Sequence, residues 1–288
     1  MLVSNDWKDY ECIDAGNGEK IERWGSMILR RPDPWALWTH NDTSIWSNCD
    51  ALYHRSDKGG GYWEYFKKLP SDWTIKYRDL VFKVSPTGFK NTGLFPEQAV
   101  NWDFIMDKIS NAGRDIKVLN LFAYTGGASI ASSFAGAVSV THVDASSGMN
   151  EWAKENAKLT GTADNIRYIC DDVVKFVERE IRRGNKYDAI IMDPPTYGRG
   201  PSKELWRFED NINNLIEMCI SILSDNPLFF LISSYTKGIT PEILYNILST
   251  SSLKRFNGTI VTDEIGLKIS NTDLVLPCGI SGRWESNV

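Results

Sequence analysis

The stretch Lys117-Val118-Leu119-Asn120-Leu121-Phe122-Ala123-Tyr124-Thr125-Gly126-Gly127 organises the rest of the chain. An apolar run ends in a turn with two glycines, and small residues with helical spacing follow at once. This order predicts a buried strand, a glycine-containing turn and the start of a helix. Backbone N–H groups and the positive end of the helix dipole meet at such a junction, and glycine lets a ligand approach the backbone. We therefore expect the turn to bind a nucleoside-bearing cofactor.

From residue 116 onward, strand patterns alternate with amphipathic helix patterns, which is typical of a parallel α/β sheet. The predicted strands cover 117–122, 138–143, 166–170, 187–192 and 227–233, and two late strands near 258–265 and 272–278 would close the sheet. The predicted helices lie near 100–110, 127–135, 147–161, 172–183, 209–224 and 240–250.

The first 85 or so residues differ in composition from the rest and are rich in tryptophan, glycine and proline. Short strand-like runs at 26–30, 73–77 and 79–84 predict a small, mainly antiparallel β domain, with a flexible turn at 58–62. We therefore expect two domains, with residues 1–90 forming the β-rich one and residues 91–288 the α/β one.

Composition limits the class of protein. The chain has 288 residues with 42% hydrophobic content, and it contains no apolar run of about 18 residues that could span a membrane. Five scattered cysteines and three histidines favour reduced thiols over a metal site or a disulfide framework. These features predict a cytoplasmic protein with no membrane and no metal partner, and they leave open whether it is a monomer or a homodimer. The net charge of −5 gives no support to nucleic-acid binding, so local patches decide that question.

Ligands of open α/β sheets bind at the carboxyl ends of the strands. The second strand is followed by Asp144, Ala145 and Ser146, and a carboxylate there can accept hydrogen bonds from ribose hydroxyls. The alternative is that Asp144 caps the next helix. The third strand is followed by Asp171 and Asp172, of which one can accept a hydrogen bond from an adenine amino group while the other caps a helix.

The fourth strand is followed by Asp193-Pro194-Pro195-Thr196-Tyr197. Two prolines fix the backbone and remove two N–H groups, so carbonyl groups would project toward a planar base on which Tyr197 could stack. The alternative is a rigid loop without a substrate role. A dehydrogenase would show GxGxxG at the first turn, which is absent, and has no reason to carry this turn.

These motifs, in this order, resemble those of class I S-adenosylmethionine-dependent methyltransferases, and more narrowly the branch that contains the bacterial 23S ribosomal RNA methyltransferases. Residues 92–98 are similar to the G-L-F-x-x-Q segment that folds over the cofactor in that branch. Residues 14–20 and 276–279 resemble the ends of a narrower subfamily. The resemblance covers nearly the whole chain.

The resemblance implies a Rossmann-like seven-stranded sheet with helices on both faces and an antiparallel last strand. It assigns the methionine part of S-adenosylmethionine to the first turn, through Asn120, Phe122, Ala123, Tyr124, Thr125, Gly126 and Gly127. It assigns the ribose to Asp144, Ala145 and Ser146, the adenine to Asp171 or Asp172, and closure over the cofactor to Phe95 and Gln98. The catalytic group would be Asp193, Pro194, Pro195 and Tyr197, with Asp193 facing the methionine amino group or the incoming base.

Two departures from the family matter. The PUA-type RNA-binding module of some members is expected to be missing, because only the small β domain precedes the α/β one. Members that methylate cytosine C5 use a cysteine after the fifth strand, whereas this chain reads Ser233-Ser234-Tyr235 there. A base nitrogen needs no covalent intermediate and no metal, so direct transfer to nitrogen is favoured.

Basic residues interleaved with aromatics between 55 and 90, and a second basic group between 179 and 207, suit single-stranded RNA. The alternative is that the aromatics form a core and the charges a solvated face. We therefore expect RNA, with ribosomal RNA favoured, as the substrate. The alternatives are a methyltransferase for a protein or small molecule, and a binding protein without turnover.

Overall fold

The computed structural model describes residues 1–40, 43–56, 60–88, 90–199 and 205–287. The chain forms two compact units. The larger unit contains Met1, Val100–Ile265 and Gly279–Val288, and the smaller contains Leu2–Ala99 and Gly266–Cys278. The smaller unit thus extends to Ala99 and includes a late segment, and the predicted domain boundary at residue 90 remains a prediction. The late segment is included through local pairing, because the N–H of Ser270 donates to the carbonyl of Cys12 at 2.9 Å.

The small unit consists of short strands and one short helix. They are β1 (Leu2–Val3), β2 (Tyr10–Gly16), β3 (Glu19–Trp24), β4 (Met27–Pro32), α1 (Thr43–Trp46), β5 (Ala51–Arg55), β6 (Gly61–Tyr65), β7 (Trp73–Tyr77) and β8 (Leu80–Val84). A five-stranded sheet has the order β2-β3-β4-β5-β6, in which only the β4–β5 pair is parallel, and β7 and β8 form a separate antiparallel pair. The prediction of a mainly antiparallel β domain is confirmed, while part of the predicted turn at 58–62 lies outside the described residues.

After β8 the chain alternates strands and helices. They are α2 (Ala99–Ser110), β9 (Lys117–Leu121), α3 (Gly127–Phe134), β10 (Ser139–Asp144), α4 (Ser147–Thr160), β11 (Ile166–Cys170), α5 (Val173–Arg183), β12 (Ala189–Met192), β13 (Tyr197–Arg199), β14 (Leu205–Arg207), α6 (Phe208–Ser221), β15 (Phe229–Ser234), α7 (Pro241–Thr250), β16 (Gly258–Lys268) and β17 (Val275–Ser286). Short 3₁₀ turns lie at Pro96–Gln98, Ala163–Asn165 and Ser252–Arg255.

Seven strands from this part of the chain run in the order β16-β17-β15-β12-β9-β10-β11. The five strands from β15 to β11 in that order are parallel, and β17 is antiparallel to β15. The predicted α/β fold with an antiparallel last strand is confirmed. The two late strands are longer than predicted, and the hairpin of β13 and β14 was not predicted.

The strand order reverses at β9, which lies between β10 and β12. Leu121 at the end of β9 is level with Val143 of β10 and Met192 of β12. The turns that follow these three strands therefore meet at one edge of the sheet, at the switch point where open α/β sheets bind ligands. Buried apolar side chains hold the strands below this edge, among them Leu119, Leu121, Val143, Phe176, Ile190, Met192 and Phe230.

Within the part of the chain that the structure describes, no helix is both long and apolar enough to cross a membrane.

Candidate active site

The turn after β9 has an unusual backbone. Phe122 and Tyr124 have φ angles of 54° and 50°, and Gly126 has a φ of 89°. Left-handed backbone costs about 1–2 kcal/mol at a residue with a side chain, so neighbouring structure must hold this turn in place. It does so through hydrogen bonds: the N–H of Ala123 donates to the carbonyl of Val143 at 3.1 Å, and that of Gly126 donates to Ala123 at 3.0 Å.

The two glycines of the turn have separate packing reasons. A Cβ atom on Gly126 would lie 2.9 Å from the Cβ of Ala153, and the left-handed backbone there disfavours a side chain in any case. A Cβ atom on Gly127 would lie 2.8 Å from the indole of Trp102. Glycine is therefore required for close packing against α2 and α4. The sequence analysis predicted only that glycine would let a ligand approach the backbone.

Asp144 lies at the carboxyl end of β10 and fastens two turns together. Its carboxylate accepts hydrogen bonds from the N–H groups of Tyr124 at 2.8 Å and Ser146 at 2.9 Å. Burial raises the pKa of this carboxyl, and the two backbone hydrogen bonds act in the opposite direction. The N-cap of α4 is Ser146, whose side chain accepts from Met149. The alternative role of Asp144 as a helix cap is therefore wrong.

A buried polar network lies beneath the turn. The side-chain amide of Asn120 donates to the hydroxyl of Ser129 at 2.9 Å, and that hydroxyl lies 2.9 Å from Nδ1 of His142. Burial lowers the pKa of His142 to about 3, so its imidazole is neutral at physiological pH. The side chain of Asn120 is engaged in this network, and its predicted contact with the cofactor remains a prediction.

The two carboxylates after β11 are both engaged. Asp172 is the N-cap of α5 and accepts from the N–H of Lys175 at 3.0 Å. Asp171 accepts from the N–H of Asp172 at 2.8 Å and forms an ion pair with Arg179. The capping role expected for one of the pair belongs to Asp172. The predicted adenine contact of either residue remains a prediction.

The turn after β12 is fixed on several sides. The indole N–H of Trp206 donates to the carbonyl of Pro195 at 2.6 Å, and the N–H of Phe208 donates to the carbonyl of Thr196 at 3.0 Å. The expectation that the carbonyls of this turn face a substrate is therefore wrong for these two, because both are used inside the protein. Asp193 is half-buried and Pro194 is buried at the start of the same turn.

Trp206 was missed in the sequence analysis. Its ring lies 5.3 Å from that of Phe122, so one side chain contacts both the turn after β9 and the turn after β12. No local sequence pattern predicts the contacts of Trp206, because it lies 11 residues after Pro195, on a hairpin that was not predicted.

The hairpin of β13 and β14 contributes solvent-exposed side chains next to the turn after β12. Tyr197 is 53% exposed and lies opposite Arg207, while Trp206 and Gly198 form the next pair, on the other face. An exposed aromatic ring next to a guanidinium is suited to stacking on a base and contacting a phosphate. The rest of the predicted basic group around this hairpin, at 200–204, lies outside the described residues.

Comparison with known proteins identifies the family to which the chain belongs. The family model described as S-adenosylmethionine-dependent methyltransferase matches residues 51–221. The chain belongs to this family. A crystal structure of a SAM-dependent methyltransferase from Agrobacterium tumefaciens is 35% identical with a TM-score of 0.93, and the match covers 99% of this chain and 92% of that one. The resemblance inferred from the motifs is confirmed, and S-adenosylmethionine is the cofactor of this methyltransferase.

Two curated relatives carry the same name, Ribosomal RNA large subunit methyltransferase K/L. The protein from Shewanella frigidimarina is 35% identical over 147 residues, which are 50% of this chain and 20% of the relative. The protein from a Psychrobacter species is 29% identical over 187 residues, which are 64% of this chain and 21% of the relative. The methyltransferase therefore matches only about a fifth of the length of each relative.

The residues at the sheet edge fit S-adenosylmethionine. Asp144 is partly accessible, and each of its carboxylate oxygens accepts one backbone N–H, which leaves lone pairs for two ribose hydroxyls. Ala145 and Ser146 beside it are exposed, whereas Thr125 is buried in the turn. Phe95 and Gln98 belong to the small unit, where the N–H of Gln98 donates to the carbonyl of Phe95 at 3.0 Å. Their predicted closure over the cofactor remains a prediction.

The end of β15 carries no thiol. Ser233 and Ser234 are buried there, and the side-chain amide of Asn101 donates to Ser233 at 3.2 Å. Cys219 is buried on α6, where desolvation raises the pKa of its thiol well above the ordinary value, and Cys278 is half-buried on β17. Among the described residues, no group of three or more His, Cys, Asp or Glu side chains is placed to hold a metal ion.

Proposed function

We propose that this methyltransferase transfers a methyl group to a base nitrogen of RNA, with ribosomal RNA favoured, by direct in-line transfer in the cytoplasm. The observation that carries the proposal is the Asp193-Pro194-Pro195 turn, held by Trp206 beside the turn after β9. The turn lies at the sheet edge where open α/β sheets bind ligands, and carboxylate and carbonyl oxygens are acceptors for the N–H groups of a planar base. The names of the curated relatives support RNA as the substrate.

S-adenosylmethionine, when bound, supplies a methyl group on a positively charged sulfur. A nitrogen lone pair attacks such a group without covalent activation, so the residues of the site act by positioning and by excluding water. Asp144 holds the ribose, and the turn from Phe122 to Gly127 holds the methionine part. Asp193 and the carbonyl of Pro194 orient the base, while the exposed ring of Tyr197 stacks on it.

Transfer to cytosine C5 is disfavoured by the end of β15. Carbon at that position needs a thiolate to attack the base first, and a serine hydroxyl at its ordinary pKa is a poor substitute. Ser233 and Ser234 are in addition buried, so neither hydroxyl is presented to a base.

The test is a transfer assay with radiolabelled S-adenosylmethionine. Purified protein is incubated separately with an unmodified large-subunit ribosomal RNA transcript, with a protein fraction and with a metabolite pool. Label on RNA that ribonuclease releases supports the proposal. Label only on the protein or metabolite fraction, insensitive to ribonuclease, would instead assign the alternative substrates.

A further inference from the structure

The structure sorts the aromatic residues between 55 and 90 into two groups. Tyr77 and Phe82 are buried on β7 and β8, so they form core as the alternative interpretation expected. Tyr62 and Phe66 are 63% and 54% exposed, and Tyr65 is 53% exposed. Because side chains alternate along a strand, Tyr65 shares the face of Trp63, whereas Tyr62 and Phe66, four residues apart, share the other face. Tyr62 and Phe66, called here the edge platform, lie on or directly after β6, the last strand of the five-stranded sheet, and the N–H of Phe66 donates to the carbonyl of Asp50 at 2.9 Å.

The edge platform rests on fixed neighbours. The ring of Tyr62 stacks on the imidazole of His54 with centroids 4.9 Å apart and planes 21° apart, and Nε2 of His54 lies 2.7 Å from the carboxylate of Glu64. Trp63 anchors the strand from within, since its indole N–H donates to the carbonyl of Thr87 at 2.9 Å. Tyr62 is thus backed on one ring face while more than half of its surface stays open.

Cations flank the edge platform. Arg55 lies opposite Gly61 at one end of β6, and Lys67 and Lys68 follow Phe66 at the other. Lys67 forms an ion pair with Asp50 at 2.5 Å, yet its side chain is 72% exposed. In a chain with net charge −5, residues 55–90 contain eight Lys and Arg against four Asp and Glu. The segment of sequence that carries the edge platform is therefore cationic, in contrast to the chain as a whole.

We propose that the edge platform binds single-stranded RNA, with bases stacked on Tyr62 and Phe66 and phosphates contacted by Lys67 and Lys68. The inference rests on the proposed function and adds a binding surface outside the methyl-transfer site. Exposed aromatic rings beside cations are the combination that binds unpaired nucleotides without sequence readout. Unpaired bases are required, because a duplex hides the base faces that would stack.

Two variants separate stacking from general apolar contact and from charge. Tyr62→Leu with Phe66→Leu keeps apolar surface but removes two planar rings. Lys67→Gln with Lys68→Gln removes two cations. The matched controls are Tyr245→Leu, an exposed aromatic on α7, and Lys76→Gln, an exposed cation on β7.

The assay uses the 288-residue chain and a fluorescent single-stranded RNA of about 12 nucleotides, within the usual site size for such surfaces. Fluorescence anisotropy should show that the double leucine variant binds the RNA about tenfold more weakly than the wild type, or weaker still. The glutamine pair should reduce the slope of log K against log salt by about 1.4, since each single-strand phosphate contact contributes about 0.7. The KM for ribosomal RNA should rise in both pairs, while kcat and the Kd for S-adenosylmethionine stay unchanged.

Unchanged RNA affinity in both pairs, with wild-type methylation of RNA intact, would overturn the edge platform and leave the proposed function standing. Equal binding of duplex and single-stranded probes would overturn it as well. Loss of self-association rather than of RNA binding in the leucine pair would assign the edge to a second copy of the chain instead. If the wild-type protein neither binds nor methylates RNA, the proposed function fails first and the edge platform with it.

Discussion

Asp144→Asn tests how the cofactor site is built. The carboxylate accepts two backbone N–H groups, from Tyr124 and Ser146, and the proposal adds two ribose hydroxyls. An amide has one acceptor oxygen, so one backbone N–H and one hydroxyl would then face an NH₂ group. A hydrogen bond to a charged group contributes about 1.5–3 kcal/mol. We therefore expect the Kd for S-adenosylmethionine to rise about 10- to 100-fold and the free energy of unfolding to fall by about 1–2 kcal/mol.

Asp188→Asn is the matched control. The carboxylate of Asp188 precedes β12, at the opposite edge of the same sheet, and accepts from the N–H of Lys117 at 2.9 Å, the guanidinium of Arg114 at 2.9 Å and the hydroxyl of Ser224 at 2.8 Å. Because it loses more partners, Asp188→Asn should cost at least as much stability as Asp144→Asn in a urea titration, yet leave the cofactor Kd unchanged in calorimetry. Equal cofactor Kd values for wild type and Asp144→Asn would refute the assignment of the ribose to Asp144.

The same carboxyl predicts a pH effect on binding. Burial raises the pKa of Asp144 above its ordinary 3.8, and ribose hydroxyls donate to the charged form. Cofactor affinity should therefore fall as the pH falls through this raised pKa, and the fall should be absent from Asp144→Asn.

Three further results are expected. Trp206→Phe removes the indole N–H that donates to the carbonyl of Pro195 and keeps a ring beside Phe122. The kcat should fall with little change in the Kd for S-adenosylmethionine. The free energy of unfolding should fall by about 1–3 kcal/mol, because the carbonyl of Pro195 loses its partner. Gly126→Ala should destabilise more than Gly136→Ala in thermal unfolding, because both have positive φ but only Gly126 meets a neighbour within 3 Å; equal losses would contradict the packing argument. Burial lowers the pKa of His142 from 6.5 to about 3. The contribution of the neutral imidazole to the free energy of unfolding is therefore fully present above pH 6.5 and is lost as the pH falls toward 3, at about 1.4 kcal/mol per pH unit. His142→Gln should show a flatter dependence of the free energy of unfolding on pH.

The parallel sheet was predictable because its strands are buried on both faces and therefore read as continuous apolar runs. Strands β2 and β3 escaped prediction for the opposite reason. Glu22 is fully buried, and Arg31 donates to its two carboxylate oxygens at 2.7 and 2.8 Å. A charged residue that is buried with its partner breaks the polar-outside pattern on which strand prediction depends.

The candidate site was predictable as far as local motifs extend. The turns after β9 and β12 and the position of Asp144 follow from strand ends meeting at one edge. The contacts of Trp206 with Pro195 and Phe122 are not local, and neither is the packing of Gly127 against Trp102. Such contacts depend on the tertiary arrangement of elements, which no short stretch of sequence encodes by itself.

The most direct test of the central claim identifies the methylated atom. The protein is incubated with S-adenosylmethionine carrying a deuterated methyl group and with unmodified large-subunit ribosomal RNA, and the RNA is digested to nucleosides for mass spectrometry. The account predicts a nucleoside with a deuterated methyl group on a base nitrogen. A deuterated 5-methylcytidine, or label confined to ribose or absent from RNA, would contradict it.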